Sequence, residues 1–427
     1  MKNIWMPNDN VYWYTKPDSI NYCKEDIQTD IAIIGGGMAG LSAAQAFNKK
    51  NKKVVLLEQY YCGAGASGKS SGFITPNAEL SLSEFAHRYN QDIANQIWKF
   101  IMGGVQDIKN NIIENKFICD YAPQDSLELA NNNNDLKKLK KEYDNLSKFG
   151  YDTKFYDSKD IKDLINTSAY AGGIVYGNTF GINSYLYCQE LKKLLQKLGV
   201  TIYEETPVTS INENIINSLH AKIKAEYIIV CTDRFMPQLQ LLKQEVYHAQ
   251  TFLMISQKLT DNQIKTIFPN NIFMSWDMEF IYNYFRVTGE KRLLLGGGSI
   301  LTTYSSKAQH DYSAITYKLT NYLKNKFPSL NIQFEYQWPG LIGISKDIGP
   351  IAGKDKDKSY IYYITAATGL PIAAALGKYS AESIIDGRND LDPYFSPYRP
   401  FPIAGILQKI LGTKISFALS NLIKKSG

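Results

Sequence analysis

The stretch Asp30-Ile31-Ala32-Ile33-Ile34-Gly35-Gly36-Gly37-Met38-Ala39-Gly40 decides the architecture of this chain. The apolar run ending at Ile34 reads as a strand buried on both faces. Gly35, Gly37 and Gly40 then follow a G-x-G-x-x-G spacing, with a helix beginning inside the turn. The three glycines serve different ends. Gly35 permits the sharp turn, Gly37 lets a pyrophosphate approach the backbone, and Gly40 lets helix and strand pack closely. The helix start at Met38 and Ala39 offers unpaired N–H groups and the positive end of a dipole to phosphate. Residues 41–50 read as the helix and 53–58 as the next strand, which ends at Glu58, eighteen positions past Gly40. A carboxylate there suits both ribose hydroxyls of an adenine dinucleotide and repels a 2′-phosphate. A ligand-free glycine turn is the competing reading, and the complete strand–turn–helix–strand context weighs against it.

Working outward, the segments interleave. Residues 80–119 read as one or two helices, 130–135 (ANNNND) as a loop, 136–149 as a charged surface helix and 184–198 as an amphipathic helix. Strands are expected at 201–205, 208–211 and 225–231. Residues 245–338 alternate short apolar runs with turns, as an antiparallel sheet does. A strand at 359–366 leads to a glycine turn and a long helix. Nucleotide-type α/β segments therefore occupy residues 1–80, 180–243 and 339–400. Insertions at 81–179 and 244–338 form a second, α+β domain, and 401–427 is an amphipathic tail. Residues 1–28, with Trp5, Tyr12, Trp13 and Tyr14, read as an arm packed on the body. Gly296-Gly297-Gly298 lacks the spacing of a second dinucleotide turn and reads as a strand end.

Bulk properties narrow the classes. With 427 residues, two or three domain-sized units are expected. The formal net charge of +6 is modest for that length and gives no nucleic-acid footprint. Cys23, Cys62, Cys119, Cys188 and Cys231 are widely spaced and suggest neither a disulfide framework nor a metal site, so a reducing, cytoplasmic setting is expected. Neither a secretory signal nor a spanning helix is visible.

After Glu58 and Gln59 the chain runs Tyr61-Cys62-Gly63-Ala64-Gly65-Ala66-Ser67-Gly68-Lys69-Ser70-Ser71-Gly72. This resembles the "GASGRNGG" loop of the D-amino-acid oxidase-like flavoenzymes, the family of glycine oxidase and sarcosine oxidase, in its gamma-glutamylputrescine oxidoreductase branch. The departures are Lys69 for arginine and Ser70-Ser71 for Asn-Gly. Glu205-Thr206-Pro207-Val208-Thr209 resembles the segment that meets the adenine, and Val230-Cys231-Thr232-Asp233 the strand end beside the cofactor. Tyr284-Phe285-Arg286 with Arg292-Leu293-Leu294-Leu295-Gly296-Gly297 resembles the hairpin of the substrate domain. Trp338-Pro339-Gly340, with Gly343 close by, and Asp347-Ile348-Gly349-Pro350 resemble the elements before the final flavin segment. Thr368-Gly369-Leu370-Pro371 resembles the turn whose helix faces the flavin pyrimidine.

The resemblance spans about residues 12–390. It implies a discontinuous, glutathione-reductase-type, Rossmann-like FAD domain with a substrate domain on an antiparallel sheet. It implies FAD at Gly35, Gly37, Met38, Ala39, Gly40, Glu58, Gln59, Gly65, Ala66, Ser67, Ser71, Gly72, Val208, Cys231, Thr232, Gly340, Gly343, Thr368, Gly369, Leu370 and Pro371. Non-covalent binding is expected, because no cysteine follows Cys231. The implied reaction is oxidation of an amine or amino acid by hydride transfer to flavin, giving an imine that hydrolyses, with oxygen or another acceptor closing the cycle.

Four residues are candidates for the chemistry. Arg286 suits a bidentate clamp on a substrate carboxylate; the competing reading is a sheet arginine paired with an acid. Tyr284, with Tyr282 and Phe285, lines the same hairpin or simply packs in it. Lys69 would act beside the flavin, and His248 near the entrance to the second domain, unless either is only structural. The tail carries Lys409, Lys414, Lys424 and Lys425 and no acid, with apolar residues at helical spacing. It is either a membrane-surface helix or a helix docked on the body. The competing functions are processing of a modified macromolecule such as a tRNA base, a non-catalytic nucleotide-binding protein, and an NAD-linked dehydrogenase.

Overall fold

A strand whose residues are apolar at every position can sit only inside a sheet covered on both faces, and the Ile31–Ile34 end of strand Ile27–Ile34 does so. The computed structural model describes residues 11–15, 21–77, 79–279, 281–298 and 313–426. In the first sheet the strands run in the order Ile351–Lys354, Ile361–Thr365, Lys222–Val230, Ile27–Ile34, Val54–Leu57 and Thr201–Tyr203. All neighbours are parallel except the first pair. The antiparallel Val208–Asn212 and Ile215–Ser218 extend from Lys222–Val230. Ile34 lies level with both Leu57 and Val230, so the chain leaves three adjacent strands at one sheet edge.

Helix Met38–Lys49 covers this sheet and packs on helix Leu370–Ile385. Gly377 makes that approach possible, because a Cβ there would come within 2.8 Å of the Ala43 nitrogen. Helix Gln91–Asn115 lies against Leu370–Ile385 on its other side, with Gly104 over the Pro371 carbonyl.

The second sheet runs Phe334–Ser345, Val246–Lys258, Arg292–Gly297, Tyr284–Val287, Met274–Asp277, Ser126–Ala130, Gly172–Tyr176 and Thr153–Tyr156. It is antiparallel except where Met274–Asp277 pairs parallel with Ser126–Ala130. Its far face packs on helices Asp261–Ile267 and Ser313–Lys326, neither of which the turn-rich sequence announced. Phe73–Ile74 and Phe180–Gly181 pair as a separate short ribbon.

Two local expectations change. Residues 130–135 are not simply loop: the Asn132 side chain accepts from the Asn134 and Asp135 N–H groups at 2.9 and 3.1 Å and starts helix Asn133–Lys148. Asparagine is a loop former because it competes for backbone groups, and the same property makes it a helix cap. The N-terminal arm is more than surface packing, since Trp13 is buried and donates Nε1–H to the Gly68 carbonyl at 2.6 Å. Trp5 and residues 299–301 lie outside the described residues.

In the tail, helices Ile406–Leu411 and Thr413–Ser426 are tethered by two buried residues. Gln408 donates to the Gln244 carbonyl and accepts from Lys346 Nζ. Phe417 packs on Tyr247, Ala249 and Ile344. Among the described residues no helix is long and apolar enough to cross a membrane.

Candidate active site

One cavity of about 1340 Å³ runs from the glycine turn into the space under the second sheet. Its nucleotide end is lined by Gly35, Gly37, Met38, Ala39, Glu58 and Gln59, with Val208, Cys231 and Thr232 beside them. Ser67 Oγ accepts the Met38 N–H at 2.9 Å and ties the second loop to the helix start. Glu58 Oε2 accepts from Gly36 N–H at 2.7 Å and Oε1 from Tyr60 N–H at 2.9 Å, which fixes the carboxylate at the strand end. Burial raises its pKa, and those two N–H groups oppose the rise. A Cβ on Gly65 would meet nothing within 4 Å and would stand in the cavity; one on Gly37 would meet only Ser67. Bare backbone facing open space beside a helix N-terminus is what a pyrophosphate requires.

Further along, Gly65, Ala66, Ser67, Lys69 and Ser71 form one wall, and Gly340, Gly343, Thr368, Gly369 and Leu370 another. Gly369 has φ 115°, and helix Leu370–Ile385 starts there with its free N–H groups toward the cavity. Such an end stabilises negative charge on a ring placed against it. Gly340 sits beside Thr251, and Gly343 N–H donates to Asp233 Oδ2 at 2.7 Å.

Gly40, Gly72 and Pro371 are not on the cavity wall. Gly40 lies against the Gly35 carbonyl and Gly72, at φ 74°, against the Ile182 carbonyl, so both serve backbone packing. Pro371 is buried in the first turn of that helix, with its carbonyl against Gly104. Cys62 is buried under Gly36, and burial pushes its thiol pKa up.

The FAD dependent oxidoreductase family (DAO) matches residues 30–383 of the sequence. The chain belongs to this family. It is an FAD-dependent oxidoreductase with an α/β, Rossmann-like cofactor domain, and the glycine-walled end of the cavity fits that dinucleotide. It is similar to the probable oxidoreductase OrdL of Haemophilus influenzae, at 25% identity over 93% of this chain and 92% of the relative. The gamma-glutamylputrescine oxidoreductase of Escherichia coli is 23% identical over 91% of each chain. The structure resembles glycine oxidase from Geobacillus kaustophilus with a TM-score of 0.75 at 15% identity, over 88% of this chain and all of that one.

The substrate end is where placement departs from expectation. Tyr284 lines the cavity, and burial raises its pKa to about 12. Tyr282 lines it too, whereas Phe285 alternates to the opposite face of the sheet and joins the core. Lys69 is buried on the wall of the flavin loop, where its carbonyl accepts from Trp338 Nε1 at 3.2 Å.

Arg286 does not line the cavity. It is fully buried, donates Nε–H to the Ser71 carbonyl at 2.7 Å and Nη2–H to the Ile182 carbonyl at 2.6 Å, and lies between Gly72 and Gly181. Burial lowers its pKa to about 10 despite nearby Asp120. Two of its N–H groups thus hold the flavin loop and Ile182 from behind the cavity, Nη1 is buried without a hydrogen-bond partner, and no acid among the described residues pairs with it directly, so the geometry favours a clamp on the loop over a substrate anchor. His248 is also off the wall, in register with Gly343, with Nδ1 buried and without a partner. Burial and Arg234 lower its pKa, and it is held away from the cavity.

Sequence reasoning missed Phe73, Thr75, Asn77, Glu79, Glu128, Trp276 and Asp277, all on the cavity wall. Glu128 carried a signal: in the strand Ser126–Ala130 it is the single acid between Leu127 and Leu129, which face the core. Its Oε2 accepts from Tyr176 OH at 2.6 Å and Asn77 Nδ2 at 3.0 Å. Burial raises its pKa to about 7, opposed by the Tyr176 hydrogen bond.

Proposed function

We propose that the chain oxidises a C–N bond of a small amine or amino acid. The observation that carries this reading is the continuity of one cavity from the glycine turn to an aromatic, carboxylate-bearing space walled by Phe73, Trp276, Tyr282 and Tyr284. FAD, when bound, supplies the acceptor for the two electrons and the hydrogen that leave the carbon beside nitrogen. The substrate loses one further proton and becomes an imine, and water converts that to a carbonyl compound and a free amine or ammonia. The chain's own part is to position, desolvate and hold charge. The aromatic residues exclude water from the reacting carbon. The Thr368–Leu370 turn, with the helix behind it, would hold the flavin ring and offer N–H groups to negative charge there. Tyr284, next to Thr251, forms the face against which the substrate lies.

The relative acting on gamma-glutamylputrescine and the glycine oxidase likeness support an amine or amino-acid donor. The test is anaerobic mixing of the FAD-loaded protein with secondary amines, amino acids and alkylamines while the flavin band is followed. Bleaching by one class supports the reading. A band that survives every amine, yet is bleached by dithionite, removes it. Readmitting air then shows whether oxygen is an acceptor.

For the tail we propose contact with an anionic bilayer surface. Its tethered face leaves Ile406, Leu407 and Ile410 outward at 75, 60 and 74% exposure, with Ile415, Leu419 and Leu422 also exposed. Four lysines and no acid accompany them over residues 401–427, which matches a negative surface. Flotation with phosphatidylglycerol vesicles but not phosphatidylcholine vesicles, lost in Ile406→Ser/Ile410→Ser, is the expected result. Equal recovery without vesicles, or a concentration-dependent dimer in its place, overturns it.

A further inference from the structure

The substrate end of the cavity is built from rings and carboxylates. Trp276 lies 6.3 Å from Phe73, Phe73 lies 5.9 Å from Tyr284, and Tyr284 lies 5.7 Å from Tyr282, ring centre to ring centre. All four line the cavity, so they present one continuous aromatic wall. Behind it, Tyr176 stacks on Trp276 at 5.8 Å and donates its hydroxyl to Glu128. Tyr282 donates its hydroxyl to Glu79 Oε1 at 2.9 Å. Each carboxylate is thus joined to a tyrosine, Glu79 to a ring on the wall itself and Glu128 to a ring stacked behind it.

Lys69 is buried on the flavin-loop side of the same cavity; the ionic groups around the aromatic wall are committed elsewhere or lie outside. Glu142 accepts the Leu82 and Ser83 N–H groups, and Glu84 closes the cap at Ser81. Asp277 accepts from the Glu279 and Asn283 N–H groups. Lys138 and Lys141 are exposed, and Arg88 donates to the Asp347 carbonyl at 2.7 Å. Arg286, the residue that could have clamped a carboxylate, is behind the flavin loop. One more polar atom waits in this wall: Thr75 is 6% exposed and its Oγ1 has no hydrogen-bond partner.

Aromatic faces attract cations, the more so when desolvated, and a carboxylate beside them adds a full counter-charge. An anionic substrate tail would meet Glu79 and Glu128 without a compensating guanidinium. We infer that the preferred substrate is an aliphatic diamine or polyamine, whose distal ammonium rests on the wall of Phe73, Trp276, Tyr282 and Tyr284 with Glu79 and Glu128 as counter-charges. Thr75 Oγ1 accepts one ammonium hydrogen. The other end of the chain brings its neutral amine and the adjacent carbon to the cofactor. This rests on the amine reading above and names the substrate class of that same site.

Three ligands of one length separate the possibilities: 1,4-diaminobutane, n-butylamine and 4-aminobutanoate, which differ only in the distal group. Anaerobic reduction of the FAD-loaded protein is expected to favour the diamine over butylamine by roughly tenfold or more in KM, with 4-aminobutanoate poorest. Glu79→Gln and Glu128→Gln keep the shape of each site and should erase most of that advantage. Retained flavin absorbance and melting temperature in each variant show that the fold is intact. Preference for 4-aminobutanoate, or a diamine advantage untouched in both variants, overturns the inference while leaving amine oxidation standing. No bleaching by any amine overturns both together.

Discussion

At the nucleotide end of the cavity the chain presents backbone, with Gly35, Gly37 and Gly65 and one fixed carboxylate, Glu58. At the substrate end it presents side chains, with Phe73, Glu79, Glu128, Trp276, Tyr282 and Tyr284 drawn from three separated segments. The first end recognises a ligand by leaving room and by lining up N–H groups, which tolerates no added Cβ. The second, on the proposed reading, recognises by surface chemistry, which tolerates exchange of one side chain for another and would thereby set which amine is accepted. Arg286 belongs to neither surface but joins them, since it stands on a strand of the second sheet and holds the Ser71 carbonyl of the flavin loop.

The largest effect is expected at Gly40. A side chain there collides with the Gly35 carbonyl, so Gly40→Val should cost about 3 kcal/mol or more and leave protein that does not retain flavin. Stable, yellow Gly40→Val protein would mean the turn is looser than these contacts allow. Arg286→Lys comes next. Lysine cannot span both carbonyls, so a loss of about 2 kcal/mol is expected from thermal unfolding. Reduction rates should fall by the same factor for carboxylate and uncharged substrates; a selective loss for carboxylates would restore Arg286 as an anchor.

Glu128 offers a pH test of the substrate end. Its pKa is raised by burial to about 7, above the ordinary 4.5, so the folded chain holds a proton that the unfolded chain has released. The contribution of this group to stability is therefore greatest at low pH and declines between about 4.5 and 7. Over the same interval the carboxylate gains charge, and KM for a diamine should fall as pH rises toward 7. Glu128→Gln should flatten that limb, and an unchanged pH profile would remove Glu128 from substrate binding. The smallest effect on stability is expected at Gly65. Gly65→Ala places a methyl group in open cavity, so unfolding of the apoprotein should shift by no more than about 0.5 kcal/mol, while FAD dissociates more readily.

The two ends also differed in what the sequence disclosed. Gly35, Gly37, Gly40 and Glu58 were legible because backbone recognition forces glycine at fixed spacings within one crossover. The loop at 65–71 and the turn at 368–370 were legible through resemblance. The aromatic wall was only half visible: Tyr282 and Tyr284 stood out on their hairpin, but Trp276 and Glu128 meet through a parallel pairing of strands some 150 residues apart, and no local periodicity encodes that. Arg286 misled because its residue type suits a carboxylate equally well as it suits two backbone carbonyls. Only the positions of Ser71 and Ile182 distinguish the two.

We propose that one FAD lies along the glycine-walled end of the cavity, with its ring delivered to the aromatic wall. Reconstitution of purified protein with FAD, followed by gel filtration and acid release of the flavin, tests it directly. The expected result is about one FAD per chain, all of it freed by acid, with the flavin band perturbed by 1,4-diaminobutane. Colourless protein that takes up no FAD would contradict the account at its base.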